Sequence, residues 1–208
     1  MSQLLGRVDP LFKHLEDLER FQTISNEFEA ILPRLELEAV EREKNYYDMA
    51  SGGVYWPDDE DTRACADFAL SIPQFHRQSM VISLCSALER ALLSTCRMLE
   101  LDDRCKSCLS SMEETGVRRA QEFMKKNLKL LFAEDSLGVH WNEVTSIQCL
   151  RNNFVHSGLG LKDKDLKRLN SSKIWEHLIL RDDDCPIVQT RGIDEVLQVH
   201  DAFTQELA

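Results

Sequence analysis

Apolar residues recur every three or four positions through most of the chain, and each such run predicts an amphipathic helix. In the first third, Leu11, Leu15, Leu18, Phe21, Ile24, Phe28, Ile31 and Leu35 form one stripe. Pro33 interrupts it, which predicts a long N-terminal helix with a kink, or a helical hairpin, at that point. The charged stretch "LELEAVEREKNYYDM" continues it, and "SGGVYWPDDEDT" then breaks the pattern with two glycines, Pro57 and an acidic cluster. A loop is expected there, around residues 51 to 60. Beyond Pro73, "QSMVISLCSALERALLSTCRML" places Val81, Leu84, Leu88, Ala91, Thr95 and Met98 on one stripe, widened by Leu92 and Leu99. A helix this apolar is expected at the centre of a bundle.

Thr115 stands where it could cap a helix "VRRAQEFMKKNL". A further helix is expected from about Trp141 to Ser157, with Gly158 and Gly160 to stop it. After residue 173 the period changes: "HLILRDDDCPIVQT" is two short β-prone runs around an acidic turn, the pattern of a small hairpin. The last run, "GIDEVLQVHDAFTQELA", puts Val196, Val199, Phe203 and Leu207 on one side of a helix. The expected fold is an all-α helical bundle with a small C-terminal β-hairpin. An N-terminal helical segment (1–50) joins a bundle (61–208) in one compact domain.

Composition narrows the class. At 208 residues, 43% of them hydrophobic and 29% charged, the chain can bury one sizeable core. The N-terminus lacks a basic stretch followed by an apolar run, and no window holds ~18 uninterrupted apolar residues, so a cytoplasmic protein without a membrane partner is expected. Seven cysteines, an odd number, fit reduced thiols. Cys105 and Cys108 form a CxxC, but no second ligand pair completes a zinc site and no βαβ pattern surrounds it for redox work. No metal or cofactor is expected. The absence of a Gly-rich phosphate loop, GxSxG and HExxH removes most nucleotide-binding and hydrolase classes.

A formal charge of -11 opposes general affinity for phosphate backbones, so a nucleic-acid partner would need a local basic patch. Two stretches offer one: "VRRAQEFMKKNLK", with Arg118, Arg119, Lys125, Lys126 and Lys129, and "LKDKDLKRLNSSK", with Lys162, Lys164, Lys167, Arg168 and Lys173. The plainer reading of each is a solvated helix face.

The stretch "LRNNFVHSG" crowds Arg151, Asn152, Asn153 and His156 into two turns of an otherwise apolar helix. On an ideal helix Asn152 and His156 share a face with Cys149, whereas Arg151 points about 140° from His156, in line with Val144, Ile147 and Val155. An arginine so placed needs an acceptor. Glu89, well inside the apolar helix, is the expected partner, and an Arg151–Glu89 ion pair fixing two helices in register is the structural reading of both residues.

"RNNFVH" also resembles the RxxxxH signature of HEPN domains, all-helical modules of bacterial defence and toxin–antitoxin systems. "SLCSALERALL" is similar to that family's earlier core helix with its embedded glutamate, and "HWNEVTSIQCLRNNFVHSG" to the approach to its motif, so the resemblance covers roughly residues 75 to 160. It implies a metal-independent endoribonuclease acting as a homodimer, with two copies of the motif forming one composite site. His156 would then exchange a proton with the ribose 2′-OH or the leaving oxygen. Arg151 would stabilise charge on phosphate, Asn152 would orient the phosphate or base, and Glu89 would support them from behind. Lys162, Lys164, Lys167 and Arg168 would bind RNA. Family members controlled by a nucleotidyltransferase antitoxin often carry a tyrosine two residues after the histidine; here that position is Gly158, so that switch is not implied. A cognate antitoxin or other defence-system partner is compatible with the resemblance. The alternative is a non-catalytic dimer serving as an RNA-binding or protein-binding scaffold.

Overall fold

The computed structural model describes residues 9–51, 59–101, 105–130, 136–156, 160–180 and 186–208. Among them are six α-helices: α1 (Asp9–Ser51), α2 (Asp59–Glu100), α3 (Gly116–Leu128), α4 (Ser136–His156), α5 (Asp163–Asn170) and α6 (Thr190–Leu207). A two-stranded antiparallel sheet pairs β1 (Leu178–Leu180) with β2 (Pro186–Val188), in the register Leu178↔Val188, Ile179↔Ile187, Leu180↔Pro186. The protein is thus all-α with a small hairpin near its C-terminus.

The apolar stripe of α2 is why it lies in the middle. Val81, Leu84, Cys85, Leu88, Leu92 and Cys96 are all excluded from solvent, and α2 packs against α1, α3, α4 and α6. Burial of each leucine at about 1.5–3 kcal/mol makes this helix the main apolar contribution to the fold. By length and composition Ser71–Glu100 could also cross a membrane; its apolarity is accounted for by its place in the core. Leu11 and Leu18 of α1 belong to the same core cluster.

Several expectations about the helices change. Pro33 does not divide α1, which passes through it as a single helix. Pro33 is exposed, on a face where a carbonyl left without a partner can be hydrated. The inward stripe of α1 runs through Leu11, His14, Leu18, Ser25 and Leu32, while Ile24 and Ile31 are 51% and 46% exposed. Both isoleucines lie about 100° off that stripe, one residue before Ser25 and Leu32. Likewise α2 reaches back through Pro73 to Asp59, and α4 begins at Ser136, a turn before Trp141, because Leu137, Trp141 and Val144 already share one buried face. The expected loop at 51–60 and the stop at Gly158 fall on residues that are mostly outside the described ones. Thr115 is the residue before α3 but makes no side-chain capping bond.

Polar clamps fix the helices to the hairpin. Arg77 grips Glu29 through Nε and Nη2 at 2.7 and 2.8 Å and also donates to Thr190 Oγ1 at 2.9 Å, joining α2, α1 and α6. The Gln74 amide donates to Pro186 O at 3.3 Å and accepts from Val188 N at 3.2 Å, so a side chain completes the edge of β2. Gly192 lets α6 pass close to β2, since a Cβ there would meet Val188 Cγ1 at 2.7 Å.

Candidate functional site

A polar cleft of about 960 Å³ opens between α3, α4 and α5, with α2 behind it. Its floor is the outer face of α4, which contributes Gln148, Arg151, Asn152 and His156. Glu89 of α2, Gly116 and Arg118 at the start of α3, and Lys164 and Arg168 of α5 share the lining.

Arg151 is half-buried, and its Nη1 donates to Asn152 Oδ1 at 3.0 Å. This bond resolves the 140° separation expected on the helix. The long side chain is drawn toward the Asn152 side, so Arg151 and His156 line one cleft in a single chain. The expected Arg151–Glu89 ion pair is not formed: among the described residues Arg151 bonds to Asn152 instead.

The Glu89 carboxylate packs against the start of α3. A Cβ on Gly116 would stand 3.4 Å from Glu89 Oε2, and Gly116 has φ +59, a conformation that favours glycine. Sequence reasoning missed Gly116; its only signal is a glycine directly after a potential cap. Below Glu89 and Arg151 lies Cys85, whose carbonyl accepts from Gln148 Nε2 at 3.5 Å and so ties α4 to α2. Burial pushes the Cys85 thiol up to about 12, with the Arg151 charge acting against the shift and the Glu89 charge with it. Cys149, at the cleft wall, is also pushed up to about 12, first by burial and then by its hydrogen bond to Asp165. Neither thiol is a nucleophile at neutral pH.

His156 is exposed at the last residue of α4. Of the four expected RNA-binding residues in and just before α5, Lys164 and Arg168 face the cleft, one turn apart. Lys162, which precedes the helix, and Lys167 are exposed and do not line it. In the other basic stretch only Arg118 reaches the cleft, while Lys126 pairs with Glu122 at 2.6 Å and Arg119 donates to Glu114 O at 2.8 Å.

The CxxC stands apart. Cys105 Sγ donates to Leu99 O at 3.2 Å and Cys108 is exposed before the short 3-10 turn at Leu109–Ser111. Among the described residues no group of three or more His, Cys, Asp or Glu side chains is disposed to hold a metal ion. Neither a family model nor a curated protein nor a solved structure matches the chain.

Proposed function

We propose that this cleft is the active site of a metal-independent endoribonuclease of the HEPN type, a cytoplasmic homodimer acting in defence or as a toxin. The observation that carries the reading is the convergence of Arg151, Asn152, His156 and Glu89 with three further cations in one cleft. Four cationic side chains (Arg118, Arg151, Lys164, Arg168) face three carboxylates (Glu89, Glu114, Asp165) there. The cleft is therefore net positive by one, before any charge on His156, in a chain of net charge -11. That local sign is what a phosphate backbone requires.

In the reaction the imidazole of His156 takes the proton of a ribose 2′-OH, and the 2′-oxygen forms a bond to the adjacent phosphorus. The bond from phosphorus to the 5′-oxygen breaks, and that oxygen takes a proton from the imidazolium of the second copy in the dimer. The products are a 2′,3′-cyclic phosphate and a 5′-hydroxyl. Arg151 places a planar, multi-donor cation against the charge that builds on the phosphoryl oxygens. Asn152 holds that guanidinium on the His156 side. No step requires a metal ion.

Cleavage of RNA in the presence of a chelator tests the proposal, with Arg151→Ala and His156→Ala expected to be inactive and folded. Mixing wild type with His156→Ala tests the dimer: because the reaction uses the histidines of both copies, heterodimers are expected to be inactive and cleavage to fall below the wild-type share, whereas a site confined to one chain keeps cleavage in proportion to wild-type chain.

A further inference from the structure

A second concavity lies between α1 and α6, two helices outside the stretch that carries the family resemblance, and it has no part in the proposed reaction. The two helices run antiparallel: the His14 ring of α1 stands 5.9 Å from that of His200, and eight positions further along α1 the Gln22 amide donates to Asp194 Oδ1 at 2.9 Å. Beside this seam they leave a groove of about 610 Å³. Its apolar lining is Phe12, Leu15, Leu18 and Leu197. Leu18 and Leu197 belong to the core and Leu15 packs against it, but Phe12 is 43% exposed.

The charged side chains of the groove are Glu16, Glu19 and Asp201, all carboxylates. Among the described residues none of the three is in an ion pair. Asp201 accepts from Gln205 Nε2 at 2.8 Å, Arg20 is turned to Asp17 at 3.4 Å, and α6 holds no Lys or Arg beyond Arg191. The groove is therefore acidic, whereas the cleft on α4 is net positive. Whatever covers Phe12 and Leu15 must bring apolar surface for them and cations for the carboxylates beside them, because a carboxylate covered without a partner is costly. The space beside two antiparallel helices suits a third helix, whose rows of side chains settle between theirs. From Phe12 to Gln22 the groove follows α1 for about 15 Å, which a helix of about ten residues spans.

We infer that the groove between α1 and α6 docks a short amphipathic helix of a partner protein, one with leucine-sized apolar side chains three and four positions apart and Lys or Arg on both flanks of that stripe. Exposed ion pairs add little affinity, while matched charge governs the choice of partner and the speed of association. Phe12 and Leu15 accordingly supply the strength of docking, and Glu16, Glu19 and Asp201 supply its selectivity.

The probe is a fluorescein-labelled designed helical peptide with Leu at i, i+3, i+4 and i+7 and Lys at the flanking positions, beside a peptide of the same composition in scrambled order. By fluorescence anisotropy, wild type is expected to bind the amphipathic peptide at least about tenfold more tightly than the scrambled one. Phe12→Ser should weaken binding by about tenfold, as loss of an aromatic anchor does. Glu16→Gln with Glu19→Gln should weaken it several-fold and flatten its salt dependence. Glu113→Gln with Glu176→Gln, which makes the same change in net charge at exposed positions outside the groove, should do neither. Sedimentation velocity should give wild type and Phe12→Ser the same oligomeric state. Equal binding of the two peptides, indifference to Phe12→Ser, or equal effects of the two glutamate pairs would overturn the inference. A change of oligomeric state in Phe12→Ser would assign the groove to a second copy of the chain and overturn it as well. None of these readouts involves RNA, so the outcome is independent of the ribonuclease reading.

Discussion

Arg151 donates to Asn152 Oδ1 at 3.0 Å, a bond between adjacent residues of one helix. Adjacent positions on a helix point about 100° apart, so the contact exists only because the arginine side chain bends round the helix toward its neighbour. The guanidinium is thereby withdrawn from the apolar stripe of Val144 and Ile147, both fully buried, and delivered to the cleft.

That geometry separates activity from stability. Arg151 is not part of an ion pair holding α4 to α2, so Arg151→Ala is expected to shift unfolding by no more than about 1 kcal/mol while abolishing RNA cleavage. Urea denaturation beside a cleavage assay checks this. A large loss of stability would restore Arg151 to a structural role. Asn152→Ala frees the guanidinium and should lower cleavage less than Arg151→Ala does.

The stabilising ion pair lies elsewhere. Arg77 and Glu29 have side chains only 14% and 17% exposed and meet through two short bonds. Removing one partner leaves a largely desolvated charge, so Glu29→Ala or Arg77→Ala is expected to cost about 2–4 kcal/mol. Guanidinium denaturation of the single variants and of the double variant measures it, and the double should cost less than the sum of the singles.

A second buried polar pair makes stability depend on pH. His14 of α1 and His200 of α6 lie with ring centroids 5.9 Å apart, both out of contact with solvent. None of their four ring nitrogens has a hydrogen-bond partner. Burial lowers His14 to about 4, Asp17 opposing the shift, and lowers His200 to about 3, the neighbouring His14 adding to it. Both rings are therefore neutral in the folded protein and take up protons on unfolding below their ordinary value of 6.5. Stability should be full above pH 6.5 and fall as pH drops from there toward 4, at up to about 1.4 kcal/mol per pH unit for each ring. Thermal melts between pH 8 and pH 4 check the direction, and His14→Phe with His200→Leu should flatten the dependence.

Much of the architecture is legible in the sequence because it follows from period. The apolar run of α2, the amphipathic α3 and α6 and the hairpin around the acidic turn all announce themselves in this way. Periodicity does not determine which of two neighbouring stripes turns inward, so Ile24 and Ile31 are expected in the core and His14 and Ser25 occupy it. For the cleft, spacing along α4 groups Asn152 with His156. The bend of Arg151, the turn of Arg118 toward α4 and the seat of Glu89 on Gly116 depend on helices far apart in sequence.

Gly116 offers a direct probe of that seat. With φ +59 and the Glu89 carboxylate beside it, Gly116→Ala is expected to cost about 1–2 kcal/mol and to displace Glu89 from the lining of the cleft, lowering cleavage more than the modest loss of stability accounts for. Activity measured well below the melting temperature distinguishes the two effects.

The central claim is that His156 moves the proton of a ribose 2′-OH. Its most direct test is end-group mapping of RNA incubated with wild-type protein and with His156→Ala in EDTA. The predicted result is fragments ending in 2′,3′-cyclic phosphate with 5′-hydroxyl partners, formed by wild type alone. Intact RNA with folded wild-type protein, or fragments that persist unchanged in His156→Ala, would contradict it.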